Sequence, residues 1–325
     1  MASIARRPNG QWRPRYRDLA GREHSRHFDK KADAQLWLDS VTTAVQTGTY
    51  VDPSRMRLTF GEWSEQWLAT KVDLKPTTRR GYEGMLRVHI LPEWGSVRLG
   101  DITHQGIAAW VARLNGSHLG ASSVRQAHRV VSLILALAVR DGRLARNPAV
   151  GVPLPRAVRG EQVFLTHEQV DQLADAAGRD RLAILFLAYT GVRYGEMAAL
   201  RVRNLNLLRR RALIAEAVVD VNGHAVFGTP KNHPRRQVPL PRFLADELAA
   251  HVAGRAPGDF VFAAEKGGVM HSRNFRRKSF DPAVRAAGLE GLTPHALRHT
   301  AASLAIASGA NVKVVQRCWA ISRRP

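Results

Sequence analysis

Three short stretches carry side chains suited to holding a phosphate and moving a proton beside it. Arg193 and Glu196 lie in YTGVRYGEMAALRV, Lys231 in TPKNHPRRQVPL, and His295, Arg298 and His299 in LTPHALRHTAASLAIASGA. A guanidinium offers a planar fork that matches two oxygens of a phosphate or carboxylate. An imidazole gives or takes a proton near neutrality. A lysine in a loop between strands is an ordinary solvated charge unless that loop reaches an anion.

The local sequence indicates how these groups are placed. The apolar run before Thr190-Gly191 breaks, and a new helix is expected with Arg193 in its first turn and Glu196 three residues on. A cation at a helix start opposes the macrodipole, so Arg193 does not serve helix stability. Alone, an arginine after a glycine does not separate a site from a surface. In the third stretch Thr293 is a good N-cap and Pro294 suits the first helical position. That puts His295 in the first turn and Arg298 on the same face, where free amides would join them around an anion. Two other readings compete. His295 and His299 are four apart, as in a zinc helix, but the HExxH glutamate is missing and Arg298 would repel a dication. A buried core histidine is the other, though two histidines and an arginine in one turn make a costly core.

The elements that must carry these groups fall into three parts. GQWRPRYRD and HSRHFDK predict two strands around the turn LAGRE, with Arg13, Arg15 and Arg17 sharing one face. A helix from about Lys31 follows, its stripe formed by Ala34, Leu36, Trp37 and Val41. After the linker DPSRM, four helices are expected between Leu58 and Pro148. Thr59 would cap the first, whose Phe60, Trp63, Trp67 and Leu68 face a core, not stacked bases. Thr77 would cap the second and Pro92 end it; Thr103 would cap the third; Gly142 would close the fourth. These helices carry Arg79, Arg80, Arg87, Arg125 and Arg129, a basic bundle. Beyond GVPLPRAVRG, helices are interrupted by strands: RRALIAEAVVDV and HAVFGT flank the hairpin signal Asn222-Gly223, and RRQVPL adds a third strand. Arg235 and Arg236 sit close behind Lys231.

The charge balance favours a nucleic-acid partner over a membrane. Lys and Arg number 49 against 27 Asp and Glu, a net +22 spread over 325 residues, the footprint of a phosphate-backbone binder. The single Cys318 allows no intrachain disulfide and suits a reducing cytosol. The N-terminus lacks a signal-peptide core, and the longest apolar runs are too short to span a bilayer. A cytoplasmic protein is expected.

Taken together, TGVRYGEMAAL, Lys231 before RRQVPL, and TPHALRHTAASLAIASGANVKVVQR resemble the phage integrase class of tyrosine recombinases. The likeness extends upstream through PTTRRGYEGMLRVHILPEWG, so it covers nearly the whole chain. It implies a multidomain fold: a small α+β arm-type DNA-binding domain over 1–55, an all-α, SAM-like core-binding bundle over 56–150, and a mainly α catalytic domain with a small antiparallel sheet over 160–325. It also implies a chemistry. A tyrosine attacks a DNA phosphodiester, giving a 3′-phosphotyrosyl link and a free 5′-hydroxyl, and a second strand's hydroxyl reverses the step. Arg193 and Arg298 would clamp the nonbridging oxygens, His295 would assist proton transfer, and Lys231 would protonate the leaving oxygen. Glu196 would brace Arg193 or a neighbour, and His299 would be structural. No metal, ATP or other cofactor is required, because the bond energy stays in the covalent link. The partners implied are double-stranded DNA attachment sites and further copies of the chain, as a tetramer on DNA.

One part of the family pattern is missing. The five tyrosines are Tyr16, Tyr50, Tyr82, Tyr189 and Tyr194, none beyond Arg298, and Ile321 stands where the family has a histidine. Tyr194 neighbours Arg193 but lies in the wrong motif for a nucleophile. Cys-Trp-Ala-Ile, written TGC TGG GCC ATC and read one nucleotide earlier, encodes Leu-Gly-His, the family's segment here. A frameshift from about Cys318 is therefore expected, with a tyrosine codon downstream in the shifted frame. Two functions follow: a recombinase whose tyrosine is lost or comes from another subunit, or a DNA-binding protein without strand cleavage that occupies attachment sites.

Overall fold

The computed structural model describes residues 2–18, 21–47, 50–51, 57–156, 163–230, 235–311 and 313. The chain divides into two compact units, Met1–Val158 and Arg159–Pro325.

The first unit begins with a three-stranded antiparallel sheet, β1 (Ser3–Arg6), β2 (Trp12–Arg17) and β3 (Glu23–Ser25), with β2 central. The first strand was not anticipated: SIAR is too short and mixed to declare itself, and pairs through Ser3↔Arg15 and Arg6↔Trp12. Pro14 and Tyr16 turn inward along β2, while Arg13, Arg15 and Arg17 share the other face. Helix α1 (Lys31–Gln46) packs on β2, burying Ala34 and Leu38. Leu36, expected in that stripe, is 69% exposed; Leu38, one turn on from Ala34, takes the inward place.

The helices of the bundle follow. Helix α2 (Phe60–Ala69) starts at a reciprocal capping box, the Thr59 hydroxyl accepting from the Glu62 amide and the Glu62 carboxylate from the Thr59 amide. Helix α3 (Pro76–Met85) starts one residue earlier than expected, because Pro76 takes the first position and leaves Thr77 inside. Pro92 does not end the helix. A π turn over Leu86–Ile90 passes straight into α4 (Leu91–Trp94), the Leu91 amide donating to the Leu86 carbonyl. The wider turn accommodates a ring that would collide with a carbonyl four residues back in an α-helix. Helix α5 (His104–Gly116) is capped by Thr103, which accepts from the Gly106 amide at 3.0 Å. Helix α6 (Ala121–Arg140) closes with Gly142 in the left-handed region at φ 67°. Phe60, Trp63, Trp67, Ile90, Trp110 and Ile134 fill the core, so the tryptophans pack and are not presented to bases.

The second unit is mainly helical: α7 (His167–Ala176), α8 (Arg181–Thr190), α9 (Tyr194–Ala198), α10 (Arg242–Val252), α11 (Ser272–Phe275), α12 (Asp281–Ala286) and α13 (Ala296–Ala307). A second π turn, Arg276–Phe280, joins α11 to α12 just ahead of Pro282. The expected single sheet is two. β4 (Leu205–Asn206), β5 (Arg211–Ile214) and β8 (Arg236–Pro239) form one, with β5 central; β6 (Ala217–Val221) and β7 (His224–Gly228) form a separate hairpin. The run RRALIAEAVVDV is thus broken at Ala215-Glu216, and RRQVPL pairs with β5, not with the hairpin. The Asn222-Gly223 turn does form, both residues at positive φ. No helix among the described residues is long and apolar enough to cross a membrane.

Candidate phosphate-binding site

The site in the second unit is built around one buried carboxylate. Helix α8 is apolar on every side and ends where Gly191, at φ 62°, turns the chain in a conformation that costs a side chain dearly. Two residues on, Arg193 is the residue before α9, in an extended conformation and not in the first turn. Glu196, 1% exposed, reaches back to it. Its Oε2 accepts from the Arg193 amide at 2.9 Å and its Oε1 from Arg193 Nη1 at 3.1 Å. Arg236, at the start of β8, donates to the same two oxygens, Nη1 to Oε1 at 3.1 Å and Nη2 to Oε2 at 2.5 Å. Burial pushes the Glu196 pKa up; the bonds from Arg236 and the Arg193 amide, with both positive charges, outweigh it and hold the group below the ordinary carboxylate range. It is ionised at neutral pH.

Helix α13 brings in the second arginine. Arg298 is 7% exposed, and its Nη1 donates to the carbonyl of Gly191, the residue that closes α8. Burial, then the charge of Arg193, lowers its pKa to about 10, so it remains a cation at neutral pH. Because Arg193 and Arg236 both act on Arg298 electrostatically, three arginines gather here around one glutamate. An excess of positive charge held at a buried point is poised for an anion.

His295 is the residue just ahead of α13, and keeps an exposed edge. Partial burial, then His299, Arg298 and Arg193, lower its pKa, so it is neutral at physiological pH. Its ring meets that of His299 edge to face, centroids 5.3 Å apart. The Thr293 hydroxyl accepts from the Ala296 amide at 3.3 Å, and the Arg298 amide donates to the His295 carbonyl. The free amides expected at this helix start are therefore partly engaged, and side chains supply the positive charge. No group of three His, Cys, Asp or Glu side chains able to hold a metal forms among the described residues.

Tyr194 is held away from chemistry. Its hydroxyl donates to the Met270 carbonyl at 2.9 Å, its ring lies against Phe275, and burial pushes its pKa far up. Lys231 lies outside the described residues, as do Cys318, Trp319, Ile321 and the tail on which the frameshift expectation rests.

The other basic residues divide by environment. Arg236, expected on a DNA-facing surface, is instead turned inward, its side chain 9% exposed. Arg235 beside it is exposed and lines an open cleft of about 700 Å³ with Arg203, Glu216 and Phe227. Arg80, Arg87, Arg125 and Arg129 are exposed, Arg125 donating to the Pro155 carbonyl. Arg79 donates to the Leu68 carbonyl and pairs with Glu83. Arg15 and Arg17 flank Glu23 at 3.7 and 4.0 Å. Sequence reasoning missed Arg201, whose guanidinium lies 4.4 Å from the Phe260 ring centroid and 5.9 Å from that of Phe227. Only its aromatic partners, distant in the chain, identify it.

Known proteins share this arrangement. The family model described as the phage integrase family matches residues 163–321, and that described as the phage integrase N-terminal SAM-like domain matches residues 59–115. The integrase of Mycobacterium phage L5 is 26% identical over 302 residues, spanning 88% of this chain and 80% of the phage protein. The Tn1549 transposon integrase in complex with transposon right end DNA superposes with a TM-score of 0.73 at 19% identity, over 82% of this chain and 92% of that one. A lambda integrase tetramer bound to a Holliday junction gives 0.59 at 18% identity, over 96% and 93%. At such identities the structural likeness establishes the fold.

Proposed function

The chain belongs to the phage integrase family of tyrosine recombinases, whose activity is site-specific DNA recombination, and we propose that its second unit clamps one DNA phosphate between Arg193 and Arg298. The observation that carries this reading is the convergence of Arg193, Arg236 and Arg298 on Glu196, with His295 at the edge. Guanidinium forks held before the substrate arrives stabilise charge on the nonbridging oxygens without reorganising. A neutral His295 can donate a hydrogen bond to the phosphate and exchange a proton near neutral pH. Lys231, in the connection between β7 and β8, is assigned the leaving 5′-oxygen.

Residues 1–55 and 56–150 would supply the remaining DNA contacts, arm-type and core-type, and self-association on DNA would follow the lambda relative. The setting is a bacterial cytosol. Residues 195–325 contain no tyrosine, and the Tyr194 hydroxyl is committed to Met270. These residues therefore bind and polarise a phosphate, and covalent cleavage requires a tyrosine from outside them, from a continuation of the chain or from another subunit. A nicked suicide duplex carrying the crossover site distinguishes the two functions. Binding without a covalent adduct is expected for this chain alone; an adduct would mean a nucleophile within residues 1–325. If Arg193→Ala and Arg298→Ala both left the crossover-site footprint unchanged, the clamp assignment would be wrong.

A further inference from the structure

Arg236 is the one member of the arginine cluster with no evident task at the phosphate. Glu196 accepts four hydrogen bonds, two on each oxygen, from the Arg193 amide, Arg193 Nη1, Arg236 Nη1 and Arg236 Nη2. A carboxylate has about four lone-pair positions, so this one is saturated. Half of that set belongs to Arg236. With Arg236 in place, Glu196 takes only one arm of Arg193, and the rest of that fork is available to a ligand. Without it, the carboxylate would turn both oxygens to Arg193 and consume the fork that the phosphate needs.

A second contact acts on the same helix start. A Cβ on Gly195 would lie 2.4 Å from the carbonyl oxygen of Val218, so only glycine lets β6 sit against α9. Through the pairing of Ala217 with Gly228, that contact fixes the end of β7; through Glu196, Arg236 fixes the start of β8. The connection between them, which contains Lys231, is thus anchored at both ends to the residues around Arg193.

We propose that Arg236 is a positioning residue that, through Glu196, keeps the Arg193 fork free for phosphate and ties the Lys231-bearing connection to it. This rests on the phosphate-clamp reading above, and its test separates the two. Inorganic phosphate is titrated into the full chain, and the Nε–Hε signals of Arg193 and Arg298, assigned from their lysine variants, are followed by NMR. Arg236→Met should weaken the phosphate response at Arg193 about tenfold, the range of coupling between residues in one network. Arg236→Lys keeps the charge but loses the fork, and should recover only part of that loss; it carries the test if the methionine variant does not fold. In a Glu196→Gln background the Arg236→Met effect should shrink below about twofold, because the relay is already cut. Unchanged phosphate binding in Arg236→Met would overturn the proposal. So would a tenfold loss that persists in the Glu196→Gln background, since Arg236 would then act by its own charge. A wild-type chain whose Arg193 and Arg298 signals ignore phosphate would overturn the clamp itself.

Discussion

Two pairs of arginines in this chain share a glutamate, and their surroundings make them different objects. On β2, Arg15 and Arg17 flank Glu23 at 3.7 and 4.0 Å, with side-chain exposures of 42%, 62% and 40%. At the start of α9, Arg193 and Arg236 close on Glu196 at 3.1 and 2.5 Å, with 31%, 9% and 1%. The strand pairs are long and wet, so they neutralise loosely and release their arginines to any phosphate backbone at little cost. The α9 cluster is dry and multiply hydrogen-bonded; its charges cannot wander, and removing one leaves the others uncompensated. The same residue types serve affinity in one place and geometry in the other.

The sharpest way to break this contrast is to delete each glutamate. Glu196→Ala should destabilise the second unit by about 3–5 kcal/mol, because buried arginines lose their only strong acceptor, whereas Glu23→Ala should cost no more than about 1 kcal/mol. Urea unfolding followed for each unit measures both. The acid side sharpens the test. Glu196 has a folded pKa below its ordinary value of 4.5, so its contribution is complete above that pH and is lost as pH falls through the folded value. Glu196→Gln should flatten that acid limb. Equal costs for the two deletions would erase the distinction.

Next in size is Gly195→Ala, which forces β6 off α9 and should cost about 1–3 kcal/mol, with reduced cooperativity of the second unit on heating. Smaller effects separate affinity from geometry directly. Replacing Arg13, Arg15 and Arg17 together should lower the salt dependence of non-specific DNA binding by about one slope unit per lost phosphate contact, read from binding isotherms across salt. Arg298→Ala should leave most of that slope intact. The subtlest effect is on His295: Arg193→Ala removes a charge that lowers its pKa, so its NMR titration should move upward toward 6.5. A downward move would place Arg193 away from the ring.

What could be read from the sequence was local. The capping roles of Thr59 and Thr103, the closing Gly142 and the Asn222-Gly223 turn each depend on residues within a few positions, and each formed as expected. The tryptophans of the bundle follow from their spacing. Pairings over long separations did not show. Nothing in RRALIAEAVVDV marks where one strand leaves for β8 and another for β7, because a period of two assigns faces and not partners. For the same reason Arg236 reads as one more basic residue until Glu196, forty positions away, is seen beside it. Arg193, Glu196, His295 and Arg298 were legible as a set only because resemblance joined stretches that spacing alone leaves separate.

The two π turns have a consequence for helical phase. Tyr82, Leu86, Ile90 and Trp94 repeat every four residues, and all four contribute to the bundle core. On a helix of about 3.6 residues per turn such a stripe drifts by about 40° at each step, and Trp94 would swing out of line. The wide turn at Leu86–Ile90 resets the angle. At Arg276–Phe280 the correction is larger, because Phe275 and Phe280, five apart, are both buried with ring centroids 5.8 Å from each other. Each turn is in effect one residue of extra chain absorbed without a loop. Deleting a single residue from either would restore a regular α-helix and rotate everything after it by about 100°. Substitutions should be tolerated in these segments far better than changes of length.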